Sequence, residues 1–158
     1  MNTQEIKQES IYDNLEGGEG SARINCLARH LDIKEEDIKI NYFDEGYDFQ
    51  VGEKQFKILT NKESDKACKE HLKESLWACS SWFLSKHTNH KIDEEVFKKL
   101  QSLCEDSNDS IYKLIDNFDE LVEDAIGIDG RGHFLSSYDG HENYEEWNGE
   151  FFYIYRTN

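Results

Sequence analysis

Apolar residues recur at helical spacing in several stretches of this chain and alternate in others, and the two periods together predict a mixed architecture. Ile24, Leu27, Ala28 and Leu31 fall three and four residues apart, which predicts a short helix that Ser21 can cap. Asp32 to Ile38 predicts one or two further helical turns. Tyr47, Phe49 and Val51 alternate, Gly52-Glu53 turns the chain, and Phe56 and Ile58 alternate back, the pattern of a β-hairpin. From Asn61 to about Lys86, Cys68, Leu72, Leu76, Cys79 and Phe83 keep helical spacing. Trp77, Ala78, Trp82 and Leu84 add apolar residues nearly all round, so the pattern predicts one long, central, buried helix. Leu72, Leu76, Trp77, Cys79, Trp82 and Phe83 are its expected core.

Asp93 opens the next helix as its cap, with Glu94 and Glu95 at the positive end of the dipole and Val96, Phe97, Leu100, Leu103 and Cys104 facing inward. Ile111, Leu114, Ile115, Phe118, Leu121, Val122, Ala125 and Ile126 predict a single helix over 109–126, stopped by Gly127 or Gly130. Phe134 to Tyr138 and Phe151 to Arg156 are expected to pair as a second hairpin across the acidic loop Asp139 to Gly149. The reading is an α+β chain. It has a flexible segment over 1–20 and a single compact domain over 21–158, with two short hairpins and four to five helices, one of them long and central.

Composition sharpens this picture. The 158 residues are 37% apolar and 13% aromatic, so large rings supply much of a thin core. No apolar run approaches bilayer length, and the polar start MNTQEIKQES carries no export signal, so a cytoplasmic protein is expected. The scattered cysteines Cys26, Cys68, Cys79 and Cys104 read as reduced core thiols.

Charge is the least even property of the sequence. Residues 93–158 hold 17 Asp/Glu against 5 Lys/Arg, so most of the net charge of −16 lies in this part. Its acids are interleaved with Tyr138, Tyr144, Trp147, Phe151 and Phe152, and disordered acidic tails lack such partners. A folded chain that holds so much like charge accepts self-repulsion, and its field disfavours direct contact with nucleic acid or anionic membrane. Asp116, Glu120 and Glu123 on the 109–126 helix, together with Asp139, Glu142, Glu145, Glu146 and Glu150 in the loop, are the candidate partner-binding residues. A helix rises about 1.5 Å per residue, so one stripe of acids is sparser than the ~3.4 Å charge spacing of a single nucleic-acid strand. Helix and loop acids combined approach that density. The plain alternative is a solvated face that keeps the protein soluble.

Other chemistry is weaker. Lys62, Lys66, Lys69 and Lys73 form a basic stripe best read as pairing with Glu70, Glu74 or the chain's own acids. Asp129, His133, Asp139 and His141 are suitable metal-ligand types, but their spacing matches no ligand pattern, and Asp139-Gly140 reads as a turn. Cys26 and His30 share a helical face at i, i+4, a pairing commoner between core thiol and surface imidazole than in catalysis. No catalytic residue, metal or cofactor is expected.

The segment Gly130-Arg131-Gly132-His133-Phe134-Leu135-Ser136-Ser137-Tyr138-Asp139-Gly140, followed by Phe152-Tyr153-Ile154-Tyr155-Arg156, resembles a family of small acidic proteins encoded by phages and mobile elements. Glu16-Gly17-Gly18-Glu19-Gly20-Ser21-Ala22-Arg23 is similar to that family's N-terminal signature, and Glu74-Ser75-Leu76-Trp77-Ala78 to its central one. The resemblance covers most of the chain and supplies no catalytic residues. It implies a setting like that of anti-CRISPR or anti-restriction inhibitors. The partner would be a basic nucleic-acid-binding host protein such as an RNA-guided nuclease. The alternatives are a non-catalytic phage accessory protein acting through ordinary contacts and, third, a small metal-dependent enzyme.

Overall fold

A computed structural model describes residues 19–43, 46–88 and 92–158. The architecture is α+β, and the described residues group into two compact units, one built from residues up to 64 with 136–158, the other from 65–135. The expected flexibility of residues 1–20 falls almost wholly outside the described residues.

The first unit is an antiparallel sheet with a helix on one face. Helix α1 (Glu19–Leu31) precedes strands β1 (Lys39–Phe43), β2 (Gly46–Val51) and β3 (Lys54–Thr60), and β4 (Asn143–Trp147) and β5 (Glu150–Arg156) complete a sheet of order β1-β2-β3-β5-β4. The helix starts two residues before Ser21. A single 3-10 turn, Glu35–Asp37, stands where short helical turns were expected. The first hairpin is as the alternation requires, with Phe49 opposite Phe56 and Val51 opposite Lys54. Cys26 and Leu27 of α1 bury against Ile40, Phe49, Phe56, Ile58, Phe152 and Ile154 of the sheet.

Strand β1 was not anticipated, although Ile38, Ile40 and Tyr42 alternate in the sequence. The second hairpin differs from expectation more seriously. Residues 131–135 are helical, and the hairpin partner of β5 is β4, so the middle of the expected acidic loop, Asn143–Trp147, is strand. Asn148 and Gly149 both take positive φ, 51° and 85°, which is the two-residue turn whose twist matches that of paired strands. The dipeptide Asn-Gly is the sequence signal for this turn, and it lies between aromatic strand residues.

The second unit is helical: α2 (Asn61–Ser75, begun in the first unit), α3 (Ser81–Lys86), α4 (Glu94–Gln101), α5 (Asn108–Leu114), α6 (Phe118–Asp129) and α7 (Arg131–Leu135). The one long helix expected over 61–86 is broken. Leu76–Ala78 form a 3-10 turn, and Cys79 and Ser80 are extended before α3. Side-chain amides from distant positions take over the freed backbone groups. Asn108 Oδ1 accepts from Trp77 N–H at 2.9 Å, Asn108 Nδ2 donates to the Lys73 carbonyl at 3.0 Å, and Gln101 Nε2 donates to the Cys79 carbonyl at 2.5 Å. The change of direction alters the core. Leu72 and Leu76 are buried, Trp77, Cys79 and Phe83 are half-buried, and Trp82 is 55% exposed.

Asp93 caps α4 as expected, accepting from Glu95 N–H at 2.8 Å. Phe97 is buried, but Val96 is exposed within α4, and Leu103 and Cys104 are exposed beyond its end at Gln101, where a 3-10 turn follows. The 109–126 helix is also two. Ile115 leaves the helical path, Asp116 N–H donates to the His87 carbonyl, and Asn117 caps α6 through Glu120 N–H at 3.3 Å. Gly127 lies inside α6, and Gly130 ends it at φ 76°. Leu76, Leu84, Phe97, Ile111, Ile115 and Leu121 form the main core of this unit. No helix among the described residues is long and apolar enough to cross a membrane.

Candidate acidic interaction surface

The candidate acids divide into those that the fold uses and those that it leaves free. In the helical unit, Asp116 stands in the break between α5 and α6, and Glu120 and Glu123 lie three residues apart on α6. All three are exposed, and no ion pair among the described residues includes them. Because α5 and α6 are separate helices, the segment 109–126 does not carry its acids on one continuous stripe. Neighbouring acids are engaged. Asp119 meets Lys69 across the unit, and Asp124 Oδ2 lies 3.4 Å from His87 Nε2. The basic stripe on α2 is therefore partly matched by the chain's own acids, as read from the sequence. Lys66 lies 3.6 Å from Glu70, and Lys73 Nζ lies 5.4 Å from the Tyr112 ring centroid.

In the sheet unit the acids expected on a loop serve three different purposes. Asp139 belongs to a turn. It accepts from His141 N–H at 2.9 Å and shares the Ser136 hydroxyl at 2.7 Å, and these bonds pull its carboxyl below the usual range. Glu142 accepts from the hydroxyl of fully buried Tyr155 at 2.6 Å. Glu145 points inward, its side chain 24% exposed, with Arg29 Nη2 of α1 at 3.5 Å. Arg29 Nη1 also donates to the Glu146 carbonyl at 3.0 Å, which covers one backbone acceptor on the edge strand. Glu146 and Glu150 remain exposed, and no ion pair among the described residues includes their carboxylates.

Nucleophilic chemistry at Cys26 is disfavoured. Burial, reinforced by the negative field of Glu145, pushes its thiol up to about 11. Burial and the nearby Asp129 carboxylate push Cys79 to about 11 as well. A pocket of about 400 Å³ in the helical unit is lined by Leu72, Phe83 and Phe134, with His71, Asp129 and His133 among its polar groups. Both imidazoles lean on Phe134, at centroid distances of 6.0 and 5.0 Å. Among the described residues no three His, Cys, Asp or Glu side chains converge as metal ligands. His141 and Asp139 are simply near neighbours, 3.9 Å apart.

The sequence reading missed the separation between engaged and free acids. Strand alternation carries it: once Asn143–Trp147 is a strand, Glu145 and Glu146 must face opposite sides. No protein family, curated protein or solved structure matches this chain in comparison.

Proposed function

We propose that this protein is an acidic inhibitor that occupies the basic nucleic-acid groove of a host defence nuclease, an anti-CRISPR or anti-restriction role, and that it neither binds nucleic acid nor catalyses a reaction. The observation that carries this reading is the set of exposed carboxylates, Asp116 between α5 and α6, Glu120 and Glu123 on α6, and Glu146 and Glu150 on the β4–β5 hairpin, without ion-pair partners among the described residues. Unpaired charge on a rigid element repels its neighbours, and a cationic partner surface turns that cost into attraction. A groove built for phosphates carries counterions when empty. An acidic protein displaces them as nucleic acid does, so association is fast and weakens with salt.

The test is a cleavage assay with purified RNA-guided and restriction nucleases, adding the protein before or after target DNA. Inhibition is expected when it is added first, with loss of target binding and protection by preloaded DNA. A variant carrying Asp116→Asn, Glu120→Gln, Glu123→Gln, Glu146→Gln and Glu150→Gln should inhibit at least about tenfold less, because mutual attraction of several charges is lost. Undiminished inhibition by the folded variant overturns the charge mechanism. Salt-insensitive binding favours an accessory protein that acts through ordinary contacts, and tight binding of DNA alone overturns the reading altogether.

A further inference from the structure

We propose that the outer face of the β4–β5 hairpin docks an arginine-bearing segment of the partner, with Tyr144, Phe151 and Tyr153 stacking on guanidinium groups and Glu146 accepting their hydrogen bonds. This rests on the acidic-inhibitor reading and adds both the surface and the residue type that it recognises.

The strand register assembles the platform. Tyr144 pairs with Tyr153 and Glu146 with Phe151, so these four side chains project from one face of the hairpin. The other face carries Glu145, Trp147, Phe152 and Ile154, which pack under α1, and exposed Glu150, which pairs with Trp147 beside the turn. On the outer face Tyr144 is 62% exposed and Phe151 45% exposed. The Tyr144 ring lies 5.7 Å from that of Phe151, near edge-on, and 6.3 Å from that of Tyr153, tilted. Single exposed rings are ordinary on a protein surface. Here three are contiguous on the edge hairpin, and Glu146 stands directly across from Phe151.

Rings beside carboxylates discriminate between cations. A guanidinium is planar and weakly hydrated, so it can lie on a ring face while its N–H fork reaches a carboxylate. An ammonium is a compact, strongly hydrated point charge and gains less from the rings. A second copy of this chain fits the face poorly, because symmetric pairing would bring Glu146 towards its own counterpart in a protein of net charge −16.

The experiment titrates the full chain with nine-residue oligoarginine and oligolysine peptides, reading affinity by calorimetry and location by amide shifts in NMR. Oligoarginine should bind about fivefold or more tightly than oligolysine and shift the amides of residues 143–153. Replacing Tyr144→Leu and Phe151→Leu together keeps the face apolar while removing its π character. That variant should lose most of the preference for arginine and leave oligolysine binding unchanged. Glu146→Gln with Glu150→Gln should weaken both peptides. Equal affinity for the two peptides overturns the proposal, as do amide shifts confined to other elements or self-association through this face. These wild-type measurements decide the matter even where the leucine variant does not fold. If the leucine pair is silent while the glutamine pair weakens both peptides, the ring platform is wrong and the acidic-surface reading stands. If both pairs are silent, both are wrong.

Discussion

Arg23 and Glu63 meet in a two-point ion pair, Nη1 to Oε2 at 2.8 Å and Nη2 to Oε1 at 3.0 Å, with the arginine buried and the glutamate half-exposed. The same Nη1 donates to the Ile58 carbonyl at 2.6 Å, and the guanidinium lies 5.6 Å from the Phe152 ring centroid. Glu63 also closes a capping box at the start of α2. It accepts from Thr60 N–H at 2.8 Å and returns its own N–H to Thr60 Oγ1 at 3.3 Å. One carboxylate thus ties α1, β3 and the first turn of α2 together.

The pair predicts a pH dependence. Burial works to raise the Glu63 carboxyl, but the Arg23 and Thr60 hydrogen bonds outweigh it and hold it below its usual 4.5. Asp139 is also lowered, by bonds from His141 N–H and Ser136. Both contributions are present above the unfolded carboxylate values and are lost as pH falls through the lower folded values. Denaturant melts from pH 7 downward should therefore show stability falling in the acid range. Glu63→Gln should flatten that fall and cost about 1–3 kcal/mol at pH 7, because it weakens a two-point, charge-assisted contact to a buried guanidinium.

The break after α2 predicts opposite outcomes for neighbouring residues. Leu76→Ala should cost about 2–5 kcal/mol, since Leu76 is fully buried in the main core of the helical unit. Trp82→Ala should cost about 1 kcal/mol or less, because the ring is largely exposed, with Lys86 Nζ stacked on it at 3.6 Å. Equal costs in chemical melts would mean that the helix continues through residues 76–80.

Asn108 substitutes for missing backbone partners at that break. Asn108→Ala should cost about 1–3 kcal/mol by leaving the Trp77 N–H and the Lys73 carbonyl unpaired. Hydrogen exchange should accelerate at the Trp77 amide before the rest of the unit. A change within about 0.5 kcal/mol with unaltered exchange would show that water replaces the amide freely.

Thiol reactivity should follow exposure. Cys104 is exposed, Cys79 half-buried, and Cys26 and Cys68 buried. Alkylation at pH 8 followed by peptide mass analysis should modify Cys104 first and Cys26 and Cys68 last, because burial disfavours the reactive thiolate. Early modification of Cys26 would contradict its packing under the sheet.

Local chemistry was legible wherever a signal and its response lie within a few residues. The β2–β3 hairpin, α1 and the Asp93 cap follow from alternation, helical spacing and a short polar side chain at a helix start. Thr60-x-x-Glu63, Asn117-x-x-Glu120 and Asn148-Gly149 are signals of the same local kind. Giving Asn117 its weight ends the continuous helix over 109–126, and Asn148-Gly149 moves the second hairpin to its true register.

By itself the sequence determined the α+β class, the first hairpin and the concentration of acid in residues 93–158, because these depend on period, turn chemistry and composition. Only the tertiary structure decided that the helix expected over 61–86 breaks at Leu76. The groups that make the break affordable, Asn108 and Gln101, come from 22 to 31 residues further along the chain. It also decided which acids are available. Glu142 is held by Tyr155 and Glu145 by Arg29, while Glu146 faces outward. Charge is counted along a sequence, but whether a carboxylate is already satisfied depends on long-range contacts that strand pairing and helix packing create.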